Sequence, residues 1–110
     1  MTATIYTATS LQAEVNSLAA WVVEILADVA SGATQDELVD ILQGCGVRTV
    51  WGQPGYAPNP YSGASVYVDH AGGVVVAGWY GEPMHDSAGD WIGDDVTEGQ
   101  DIRVRSALHR

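Results

Sequence analysis

The chain has 110 residues, fourteen acids against four basic residues, and a formal net charge of −10. That length fits one compact domain over residues 1–110, and a 46% hydrophobic content is that of a globular chain, not a disordered one. The only cations are Arg48, Arg103, Arg105 and Arg110, so the net field opposes direct contact with nucleic-acid phosphates or a membrane surface and favours a basic protein partner.

The N-terminal residues read as a short strand or irregular arm, and with no basic-then-apolar opening no signal peptide is expected. Ser10 reads as the N-cap of a helix over about Leu11 to Ala30, in which Leu11, Val15, Leu18, Val22, Ile25, Leu26 and Val29 fall in one apolar sector. Glu24 and Asp28 interrupt its apolar run, which is too short and too polar to cross a bilayer. Ser31-Gly32 is the expected stop. Thr34 followed by Glu37 matches a capping box and opens a second helix, residues 35–43. Its spacing of Leu38, Ile41, Leu42 and Cys45 predicts a buried thiol at Cys45, and Gly44 or Gly46 supplies the end. A lone cysteine excludes an intramolecular disulfide, and the simplest setting is cytoplasmic.

From Val47 the pattern turns β-branched, and residues 47–51 read as a strand. Residues 53–63 carry three prolines and two glycines, a stiff loop that holds Tyr56 and Tyr61. Ser65 to Asp69 and Val74 to Tyr80 read as a hairpin closed through His70-Ala71-Gly72-Gly73. In the first strand Val66 and Val68 face one way and Tyr67 and Asp69 the other. The second, apolar on both faces at Val74–Ala77, reads as central. Residues 81–99, rich in Gly and Asp, read mainly as loop with a short turn near Trp91, and residues 100–108 as a half-exposed final strand. The expected fold class is α+β: two N-terminal helices packed on a four-stranded, mostly antiparallel sheet.

Seven of the fourteen acids, Glu82, Asp86, Asp90, Asp94, Asp95, Glu98 and Asp101, fall within residues 82–101, where no Arg or Lys occurs. Pro83, Gly89, Gly93 and Gly99 argue against a continuous helix that would align them. Crowded carboxylates suit Ca²⁺, but their spacing does not match a helix-loop-helix calcium loop. His70, His85 and His109 lack zinc spacing, no nucleophile among Ser62, Ser65, Ser87 and Cys45 is singled out by a neighbouring base, and the glycines match no phosphate-binding loop. No cofactor is expected.

The leading expectation is a non-catalytic inhibitor or adaptor. It would present Glu82, Asp86, Asp90, Asp94, Asp95 and Glu98, with Tyr56, Tyr61 and Trp91 as aromatic anchors, to a basic partner, with the carboxylates standing in for nucleic-acid phosphates. The alternatives are a structural subunit that contacts neighbouring subunits of an assembly, and a small enzyme with an unrecognised site. The sequence specifies no oligomeric state.

Overall fold

The computed structural model describes residues 8–54 and 63–106. The expectations for the N-terminal arm, for Tyr56 and Tyr61 and for the last four residues lie outside them. Two helices, α1 (Ala8–Leu26) and α2 (Gln35–Gly44), precede five strands: β1 (Thr49–Trp51), β2 (Gly63–Val68), β3 (Val74–His85), β4 (Trp91–Glu98) and β5 (Ile102–Arg105). The fold is α+β, with the two helices against a largely antiparallel sheet.

The buried face of α1 is the one its periodicity predicts. Leu11, Val15, Ala19, Val22 and Leu26 are buried, and Leu18, Ile25 and Val29 pack at the margin of the core. The helix differs at both ends from the expected Leu11 to Ala30. It begins at Ala8, so Ser10 lies in its first turn rather than at the cap. It finishes at Leu26, where hydrogen bonds tighten to three-residue turns, Ala27 N to Glu24 O at 3.4 Å and Val29 N to Leu26 O at 3.1 Å. The carbonyls of Val29 and Ala30, free of the helix, accept from the Arg105 guanidinium.

The capping box at α2 forms as expected. Glu37 N donates to Thr34 Oγ1 at 3.2 Å, and Thr34 N donates to Glu37 Oε1 at 3.1 Å. Those hydrogen bonds hold the Glu37 carboxyl below its ordinary pKa. The expected burial of Cys45 is not met. The helix closes at Gly44, Cys45 becomes its C-cap and is exposed, and Gly46 at φ 80° turns the chain away. The buried positions are instead Leu38, Val39 and Leu42.

Among the described residues the sheet has five strands, not four. Its order is β1-β2-β3-β4, with β5 also on β3; β1 and β2 run parallel and every other pair is antiparallel. Since β2 occupies one edge of β3 from Val74 to Trp79, β5 (on Val74–Val76) and β4 (on Trp79–His85) share the other edge. The start of β3 is therefore central, as its two apolar faces predict. Val66, Val68, Val74 and Val76 point into the helix-side core, which leaves Tyr67 on the opposite face. Gly78 lies directly under α1: an added Cβ would lie 2.6 Å from Val15 Cγ2.

The turn from β2 to β3 is built by Asp69. Its Oδ1 accepts from Ala71 N at 2.9 Å and Gly73 N at 2.8 Å, and Asp69 N donates to Gly73 O at 3.0 Å. No helix among the described residues is long and apolar enough to cross a membrane.

Candidate protein-docking surface

Residues 81–99, expected as loop, form most of a two-stranded arm. Trp79 is its hinge in the register. It pairs with Gly63, the last described residue of β2 on that side, and with Glu98 at the start of the β3–β4 ladder. Beyond it, β3 continues to His85 with only β4 beside it among the described residues. Composition concealed these strands because glycine, proline and aspartate are depleted in ordinary sheets. Here each has a local use. Gly81 leaves room for the Trp79 indole, whose Cη2 would stand 2.6 Å from an added Cβ. The register slips between Met84↔Gly93 and His85↔Trp91, leaving Ile92 as the extra residue of a bulge.

Asp86 closes the tip. Its Oδ1 accepts from Ala88 N and Asp90 N, each at 2.9 Å, while Asp86 N donates to Asp90 O at 2.9 Å. Thus Asp86, expected as a partner contact, has one carboxylate oxygen committed to the turn. Asp90 ends the turn and Trp91 opens β4. Glu82 and Asp95 are register partners, Asp94 is opposite Pro83, and Glu98 is opposite Trp79. Six of the nine expected contact residues thus lie on the arm's strands or its tip, and Trp91 makes seven.

The arm also carries apolar surface. Trp91 is 63% exposed, Ile92 60%, Val96 45% and Met84 42%. Ile92 and Val96 were missed in the sequence because they fell in the stretch expected as loop. Knowing the β3–β4 register is what separates such residues from core. The other large exposed apolar residues, Trp21, Val23 and Trp51, are spread over α1 and β1.

The root of the arm is tied to the body. Gln12 of α1 holds the link to β5, its Oε1 accepting from Gln100 N at 2.5 Å and its Nε2 donating to Gln100 O at 3.3 Å. Gly99 N donates to Gly78 O at 3.1 Å. Beside this root, a cavity of about 390 Å³ is lined by Tyr67, Asp69, Val75, Asp101, Arg103 and the Gly52–Pro54 segment. Burial, and then the Asp101 charge, push the Tyr67 phenol up to about 12. Burial, then Glu98, raise the Asp101 carboxyl.

The residues weighed for catalysis lie apart in the fold: Cys45 caps α2, His70 is in the β2–β3 turn and His85 ends β3. Among the described residues no group of three or more His, Cys, Asp or Glu could hold a metal ion. Ser65 Oγ, buried on β2, has no hydrogen-bond partner among the described residues. Comparison with protein-family models, with curated proteins and with solved structures finds no match for this chain.

Proposed function

We propose that this chain is a non-catalytic protein-binding domain, an inhibitor or adaptor, that docks its β3–β4 arm on a basic partner. One observation carries the reading: Met84, Trp91, Ile92 and Val96 are exposed together on a ribbon whose sequence holds acids and no cation. Exposed apolar residues cost solubility unless a partner covers them, and they give contact area that carboxylates alone do not. The acids add steering toward a positive surface and reject a negative one. Because exposed apolar residues share the arm with the carboxylates, it suits a protein groove better than imitation of a bare phosphate backbone.

The test is retention from a native-host extract by the wild-type chain and by a variant carrying Trp91→Ser, Ile92→Ser, Asp94→Asn and Asp95→Asn. The wild type should retain a basic protein that the variant loses, and rising salt should weaken the complex. Equal retention by both proteins would remove the arm from the interface.

A further inference from the structure

Resting on that docking reading, we infer that the arm binds by strand addition: the outer edge of β4, from Gly93 to Glu98, accepts an extended Lys- or Arg-rich segment of the partner as a further antiparallel or parallel strand. Three observations lead here. First, β4 is the terminal strand of its sheet order and pairs with β3 alone among the described residues, so its second row of backbone N–H and C=O groups faces outward. An exposed row of this kind is the template for peptide recognition through main-chain hydrogen bonds.

Second, the arm's other edge is interrupted. Past Trp79, β3 has Pro83 in mid-run, which has no amide hydrogen to offer, whereas β4 contains no proline. The two edges of one ribbon thus differ in their capacity to accept a strand, and β4 is the competent one.

Third, the composition of β4 selects its occupant. Asp94, Asp95 and Glu98 occupy three of its eight positions, and β3 adds Glu82 in register with Asp95. A second copy of this chain laid on that edge would bring like charges together, and the net charge of −10 extends the repulsion. Acids on an edge strand are the usual guard against self-pairing. A segment with Lys or Arg at alternate positions meets the same edge with opposite charge.

The test uses the full chain and two short synthetic peptides of equal charge: an alternating Lys-Val peptide, and one with proline at alternate Val positions, which cannot form a ladder. Amide hydrogen exchange is read residue by residue at low salt. The Lys-Val peptide should slow exchange in Gly93–Glu98 by about tenfold near saturation, with smaller change at Gly81–His85, and the proline peptide should leave β4 unprotected. Binding of both peptides with no protection of β4 would overturn strand addition while leaving an electrostatic docking face intact. Failure of both peptides to bind at low salt would overturn strand addition together with the basic-partner reading.

Discussion

A methyl group added at Gly78 would meet Val15 Cγ2 at 2.6 Å and Leu11 Cδ1 at 2.9 Å, and one added at Gly81 would meet the Trp79 ring at 2.6 Å. The two glycines serve different parts of the molecule, so the same substitution should read out differently. Gly78→Ala forces α1 off the core and should lower the unfolding free energy in urea by about 1–3 kcal/mol. Gly81→Ala disturbs only a two-stranded ribbon. It should speed amide exchange across Tyr80–Glu98 while leaving the global urea midpoint nearly unmoved. Asp69 is a third such position, since its carboxylate satisfies Ala71 N and Gly73 N in the β2–β3 turn. Asp69→Ala should cost about 1–3 kcal/mol in the same urea assay, and Asp69→Asn, which keeps an acceptor oxygen, should recover most of it. Tyr67 supplies a pH signature. Its folded pKa, about 12 against an ordinary 10.0, means that the unfolded chain loses this proton first. Its stabilising share is full below pH 10 and is lost as pH rises through about 12. Tyr67→Phe should flatten that alkaline decline when unfolding is followed across the window.

At the scale of elements, the parts legible in the sequence were those whose local chemistry and burial agree. Thr34 and Glu37 wrote the start of α2 in two residues, and the spacing of Leu11, Val15 and Val22 wrote the buried face of α1. Thr34→Ala should lower helix content and thermal stability. It should also weaken the loss of stability on acidification, because a Glu37 pKa held below the ordinary 4.5 stabilises the fold above that value, a contribution that fades as pH falls. Cys45 was misread because the stripe was carried one residue past a helix that closes at Gly44. The arm was misread for a more general reason. Alternation reports one wet face and one buried face, and from Met84 to Glu98 no position whose burial is described is buried. Gly81, Pro83 and Gly93 then looked like loop. Their use depends on the Trp79 ring, an open edge and a bulge, all set by a register that periodicity does not contain. The acids of the candidate site were visible by count; their company with Ile92 and Val96 was not.

For the molecule as a whole, a net charge of −10 on 110 residues is a standing self-repulsion within the folded state. Salt should therefore act in opposite directions on folding and on binding. Added sodium chloride should raise the melting temperature by screening that repulsion, while it weakens association with a basic partner. A melting temperature that falls with moderate salt would point instead to attractive pairs as the dominant electrostatic effect.

The continuity of β3 has a mechanical consequence. The same twelve-residue strand is flanked by β2 and β5 at its start and by β4 at its end. A tug on the arm along its length is thus carried by covalent backbone into the centre of the sheet. There it loads the β2–β3 and β3–β5 hydrogen bonds in shear, many sharing the force at once, instead of peeling them one after another. A partner gripping the tip would have a tether anchored in the central strand of the body.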